Sequence, residues 1–188
     1  MDLNQFEFIN WEKLHQLCFE LAQKVDKANL KVNKIVAISR GGLVVARILS
    51  DFLDLPIAHI SIVAYQEIGK ITKPKITEGL GRDVSRNKLL LVDEIVDSGK
   101  SLAKGLTYLT KFKPTKIYSA GVIVKPKANP KPDFFVRITN KWAVFPYEVR
   151  ETTEQLVEKW RKTGKKEKEI ENGLEQLGFA RELVKEFF

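Results

Sequence analysis

Leu89-Leu90-Leu91-Val92-Asp93-Glu94-Ile95-Val96-Asp97-Ser98-Gly99-Lys100-Ser101 is the stretch on which the fold turns. Lys88 to Val92 is a short apolar run, the texture of a strand buried on both faces. It ends in two adjacent acids. A third acid follows at Asp97, and Ser98-Gly99 opens a helix predicted over 101–112. In an open parallel sheet, ligands bind beyond the carboxyl ends of the strands. A helix start with Ser and Gly offers unsatisfied N–H groups to an anion such as phosphate. The acids cannot coordinate that phosphate. They suit ribose hydroxyls, a Mg²⁺ ion or a proton transfer. Gly99-Lys100-Ser101 does not complete a nucleotide-binding P-loop, because Glu94 stands where that motif needs glycine.

Outward from this stretch the pattern alternates. Residues 11–28 predict an amphipathic helix with Leu14, Leu17, Cys18, Leu21, Ala22 and Val25 on one stripe. Strands are predicted at 34–39, 57–63, 88–92 and 117–124, with helices at 43–52 and 101–112 between them. Residues 65–87 keep no period and hold four Gly or Pro residues, so they read as a loop of about 20 residues, long enough to be functional or mobile. Short strands are predicted at 134–138 and 142–145. The alternation implies an α/β fold, a parallel sheet with helices on both faces. Beyond residue 150 the texture becomes charged and helical, with three helices over 151–161, 165–177 and 180–188. The reading is therefore one domain over 1–150, with a C-terminal three-helix appendage over 151–188.

Composition narrows the classes. The 188 residues are 44% hydrophobic and 30% charged, which excludes general disorder. No stretch approaches the roughly 18 apolar residues of a spanning helix, so no membrane partner is expected. The single cysteine, Cys18, excludes a disulfide scaffold. Residues 1–10 lack the pattern of a secretory signal, and a cytoplasmic location is expected. Residues 61–150 carry 17 basic and 8 acidic side chains, while the flanking regions nearly balance. A local positive field steers anionic ligands. It would also suit nucleic acid, but the tail is nearly neutral and no recognition helix stands out. His15 and Cys18 lie three apart on the first helix and read as core-flanking residues rather than metal ligands.

The segment from Leu89 to Ser101 resembles the 5-phosphoribosyl-1-pyrophosphate (PRPP) signature of type I phosphoribosyltransferases. It has four apolar positions, two acids, two apolar positions, a variable position, and then a small Ser-Gly turn. Ile38-Ser39-Arg40-Gly41-Gly42-Leu43 resembles the pyrophosphate loop of bacterial xanthine–guanine phosphoribosyltransferases. Val124-Lys125-Pro126, Trp142 and Phe145-Pro146-Tyr147-Glu148 resemble the base-binding part of 6-oxopurine enzymes. The resemblance implies a parallel-sheet type I phosphoribosyltransferase core with its base-binding segment at 125–150. It also implies a cis peptide at Ser39–Arg40 and a homodimer.

The same resemblance assigns roles. Ser98, Gly99, Lys100 and Ser101 would hold the 5′-phosphate, and Asp93 and Glu94 the ribose hydroxyls, with Mg²⁺ as cofactor bridging ribose and pyrophosphate. Ser39, Arg40 and Gly41 would hold the pyrophosphate. Asp97 would face the base and move a proton at N7, and Asp97 and Arg40 would be the catalytic pair. Lys125, Trp142, Ala143 and Glu148 would bind the base. Tyr65, Lys70, Lys73, Lys75 and Arg82 would belong to a lid. Asp97 and Lys125 point toward 6-oxopurines, whereas the added C-terminal helices look similar to crenarchaeal purine enzymes, some of them specific for adenine. Adenine, giving AMP, is the expectation, and hypoxanthine, guanine or xanthine the alternative. A non-catalytic, PRPP-sensing regulator that binds nucleic acid is a remoter alternative. A PRPP-making synthetase would need a second domain that this chain is too short to hold.

Overall fold

The structure, a computed structural model, describes residues 3–63, 66–67, 70–71, 73–81 and 83–187. It divides into two compact units, one of residues 15–139 and one of residues 1–14 with 140–188. The sequence reading placed the boundary at 150. In the structure residues 140–150 group instead with the tail, together with the first 14 residues.

The larger unit is built on a six-stranded sheet. Its strands are β2 (Lys34–Ser39), β3 (Ile57–Val63), β6 (Lys75–Glu78), β7 (Lys88–Val96), β8 (Lys116–Val124) and β9 (Phe134–Ile138), in the order β6-β3-β2-β7-β8-β9. All neighbours are parallel except β3 and β6. Helix α1 (Trp11–Lys27) enters this unit at His15. Helix α2 (Gly41–Leu53) joins β2 to β3, and α3 (Lys100–Thr110) joins β7 to β8. Both faces of the central strands are dry, as a parallel sheet between helices requires. Val36, Ile38, Ile60, Leu89 and Leu91 cluster with Leu102 and Leu109 of α3. The alternate residues Ile35, Ala37, Leu90 and Val92 are equally buried, and α2 packs on β2 and β7 through Val45, Ala46 and Leu49.

The first helix forms as its stripe predicts, with all six of its apolar positions buried. Two expectations change. Residues 65–87 are not one loop: they include β4 (Gln66–Glu67) paired with β5 (Lys70–Ile71), then β6 paired with β3. Strand β7 also runs on past Val92 to Val96, because Asp93, Ile95 and Val96 find partners in Gly121, Ile123 and Val124 of β8.

The smaller unit pairs β1 (Phe6–Phe8) in parallel with β10 (Trp142–Val144). Helices α4 (Val149–Lys162), α5 (Glu167–Gln176) and α6 (Arg181–Phe187) pack through Leu156, Trp160, Ile170, Leu174 and Phe179, with Phe6 and Phe8 against them. Gly178, at φ +92°, turns the chain between α5 and α6. The positive φ favours glycine, and a Cβ there would stand in tight contact with the Phe8 ring at 3.1 Å.

Burial pushes the Cys18 thiol up to about 12 from 9.0. Its folded form therefore keeps a proton that the unfolded chain loses between pH 9.0 and about 12. The stability that Cys18 contributes is complete below that window and drains away as the pH rises through it. We expect Cys18 to resist thiol-specific reagents at pH 8 in the native protein and to react fully once denaturant unfolds it. Rapid labelling without denaturant would contradict this.

Candidate active site

Strands β2 and β7 lie side by side at the centre of the sheet. From β2 the chain crosses over α2 to β3 on one side, and from β7 it crosses over α3 to β8 on the other. This is the point where strand order reverses, and there two turns diverge and leave a crevice. The turn after β2 carries Arg40-Gly41-Gly42. The turn after β7 carries Asp97-Ser98-Gly99.

The first turn lies directly on the acidic end of β7. A Cβ on Gly42 would come within 2.7 Å of the Val92 carbonyl oxygen and 3.3 Å of Asp93 Cα, and a Cβ on Gly41 would collide with the Glu94 carboxylate. Glycine at 42 is thus a packing requirement, because backbone stands in the way, whereas at 41 the Glu94 side chain would have to move aside. The peptide between Ser39 and Arg40 is cis, as the resemblance implies. Arg40 is exposed and precedes the first turn of α2, where Leu43 N–H donates to its carbonyl at 3.1 Å.

The second turn is held from the side by a third. Gly99 takes φ +84° just before α3. The first bond of that helix runs from Ala103 N–H to Gly99 O at 2.9 Å, so the amides of residues 100–102 precede its ladder. Lys100 N–H reaches Ser98 Oγ at 3.4 Å. Lys125 N–H donates to Val96 O at 2.9 Å, and Asn129 N–H donates to Ser98 O at 3.1 Å. A Cβ on Gly99 would be driven into the backbone of Asn129 and Pro130, whose connecting peptide is also cis. The turn that starts at Lys125 is thereby fixed beside Asp97 and Ser98.

The acids differ in setting. Asp93 is 8% exposed, and its Oδ1 accepts from Glu94 N–H at 3.1 Å. Burial first, and then the charge of Glu94, hold its carboxyl well above the ordinary carboxylate range. Glu94 is half-buried, and Asp97 and Ser98 are exposed.

A family model described as "Phosphoribosyl transferase domain" matches residues 7–152. The chain belongs to the phosphoribosyltransferase family. It falls in the purine branch of the type I enzymes. A purine phosphoribosyltransferase from Pyrococcus horikoshii has the same fold, with TM-score 0.68 and 31% identity over 76% of this chain and 94% of that one. The Helicobacter pylori xanthine-guanine-hypoxanthine phosphoribosyltransferase gives TM-score 0.67 and 29% identity over 79% of this chain and 99% of that one. The xanthine-guanine phosphoribosyltransferase of Idiomarina loihiensis is 28% identical over 149 residues, 78% of this chain and 89% of its own length.

Within this phosphoribosyltransferase, Ser39, Arg40, Gly41, Asp93, Glu94, Asp97, Ser98, Gly99, Lys100, Ser101 and Lys125 come together at the switch point. Trp142, Ala143 and Glu148 belong to the smaller unit. There Trp142 is 45% exposed, with its ring centroid 6.3 Å from that of Phe6. Ala143 is buried opposite Glu7 in the β1–β10 pair, and Glu148 Oε2 accepts from Phe145 N–H at 3.3 Å. Of the lid candidates, Tyr65 and Arg82 lie outside the described residues, and so does the side chain of Lys70, whose backbone is in β5. Lys73 and Lys75 are exposed. Sequence reasoning did not reach Asn129, although its Asn-Pro dipeptide is a turn signal. It did not reach Ser61 or Glu78 either, since nothing in their strands marks them.

We expect Gly99→Ala to destabilise the enzyme by more than about 1–2 kcal/mol, the left-handed backbone cost alone for an L-residue. Gly81→Ala, with nothing within 4 Å of its added Cβ, should leave stability almost unchanged. Urea unfolding of both variants checks this, and equal stabilities would contradict the packing described.

Proposed function

We propose that the chain transfers the 5-phosphoribosyl group of PRPP to a 6-oxopurine, giving the nucleoside monophosphate and pyrophosphate. The observation that carries the reading is the seating of the acidic end of β7 between two anion-accepting turns at the switch point. The amides of residues 98–101 and the Ser98 and Ser101 hydroxyls bind the 5′-phosphate. Asp93 and Glu94 orient the ribose hydroxyls. Arg40 and the amides of its turn meet the pyrophosphate, on which negative charge grows as the anomeric bond breaks. The transition state is oxocarbenium-like, so catalysis is mostly positioning and electrostatics. Asp97, at the mouth of the crevice, takes or returns the proton at N7 of the base. Lys125 donates to O6 of the base.

For Mg²⁺ the donors at hand are the carboxylates of Asp93 and Glu94. One or two carboxylates with waters and substrate oxygens are the set this ion takes. Among the described residues no group of three His, Cys, Asp or Glu could cage a metal alone. When bound, the ion would offset charge on the leaving group. Among the described residues no helix is long and apolar enough to cross a membrane. The same reading makes the protein a cytoplasmic homodimer acting on soluble substrates.

For the base, the relatives fit the alternative better than the expectation. Sequence reading leaned to adenine on the texture of the tail, yet the Helicobacter pylori and Idiomarina loihiensis proteins carry 6-oxopurines in their names. Together with Asp97 and Lys125 they support the alternative. We expect assays with PRPP and Mg²⁺ to show hypoxanthine, guanine or xanthine used at least tenfold better than adenine. Exclusive use of adenine would overturn the choice of base. Asp97→Asn should lower kcat by about 10²–10⁴-fold, the usual share of a general acid–base, with PRPP affinity kept. Unchanged turnover would remove Asp97 from that role.

A further inference from the structure

The pyrophosphate turn is tied on its outer side to two residues that no part of the scheme above uses. Ser39, the last residue of β2, stands opposite Ser61 of β3, and Ser61 in turn stands opposite Glu78 of β6. Their side chains form a chain of bonds across the three strands. Ser39 Oγ and Ser61 Oγ are 2.7 Å apart, and Ser61 Oγ donates to Glu78 Oε2 at 3.2 Å. Ser39 Oγ also lies 3.2 Å from the Ile60 carbonyl. His59 Nε2 stands 3.6 Å from Glu78 Oε1.

With Ser61 donating to Glu78, proton counting gives this chain one direction. An ionised carboxylate only accepts, and a serine hydroxyl has one proton to give. Ser61 spends its proton on Glu78, so its oxygen is left to accept from Ser39. The Ser39 proton is therefore turned toward β3, with the Ile60 carbonyl as its other acceptor. Glu78 is the terminal acceptor of this relay, at 3.2 Å from Ser61 Oγ. The register shift between Ser61 and Ile62 sits at this same step of the β3–β6 pair and aims Ser61 at both partners.

We propose that Ser61 and Glu78 are positioning residues for the pyrophosphate turn. They take up the Ser39 hydroxyl and hold the end of β2 in one rotamer and one place. Ser39 then serves the pyrophosphate through its backbone, and recognition of the leaving group passes to Arg40 and the amides of the turn. This rests on the reading of that turn as the pyrophosphate site.

The test is the binding of Mg²⁺-pyrophosphate by calorimetry, with KM for PRPP and for the base, in full-length Ser61→Ala, Glu78→Ala and Glu78→Gln. The loss of one relay bond should weaken pyrophosphate and PRPP by about three- to tenfold in the two alanine variants, with KM for the base and the melting temperature nearly unchanged. Glu78→Gln keeps an acceptor oxygen and should restore most of the affinity. Ser39→Ala combined with Ser61→Ala should be no worse than either alone, because one relay is broken in each case. Alanine variants that bind pyrophosphate like the wild type overturn the proposal. So does an equal loss of base affinity and thermal stability, the mark of a merely structural tie. An active wild type with unaffected variants removes this inference alone, whereas a wild type that neither binds pyrophosphate nor turns over removes the phosphoribosyl reading with it.

Discussion

The site depends on one close approach. The chain leaving β2 lies against the end of β7 at Gly42, with no room for a Cβ between it and the Val92 carbonyl. That approach sets the turn after β2 against the acids of β7. A side chain at Gly42 would push its turn away from the backbone of β7. Gly99 plays the matching part on the other side, where it admits the backbone of residues 129–130 and so brings Lys125 to the same place. Three turns are thus assembled by glycine contacts and backbone hydrogen bonds, on strands whose own register is fixed by a dry core.

Electrostatics explains why this arrangement belongs to function rather than to stability. Two adjacent carboxyls lie within a buried strand, and Asp93 resists ionisation because burial and Glu94 both oppose its charge. A fold selected for stability alone gains nothing from such a pair. In the proposed role, a sugar with two hydroxyls, or a divalent cation shared with a diphosphate, would relieve it. The positive excess over residues 61–150 acts at longer range, drawing the anionic substrate toward acids that would otherwise repel it.

The main elements were legible from periodicity, because their faces are strongly one-sided. The stripe of α1 and the continuous run of β7 left little choice. The candidate site is readable for a different reason: the acids and the Ser-Gly turn are adjacent in sequence, so the proposed chemistry lies in one stretch. What escaped depends on pairing across distance. Strand β1 is three residues long and exists through its partner β10, far along the chain. Strand β6 forms on the edge of β3 without an apolar alternation of its own. Asp93 and Glu94 looked like the end of a strand, whereas pairing with β8 carries β7 to Val96. Ser61 and Glu78 meet Ser39 only through strand register, which no local pattern encodes.

The account stands on the grip of a phosphorylated sugar at the β2–β7 switch point. Calorimetric titration of the protein with PRPP in the presence of Mg²⁺ tests that grip without assuming any base. The account predicts saturable heat at one site per chain and a rise in melting temperature. No heat and no thermal shift would contradict it and leave only the layered fold.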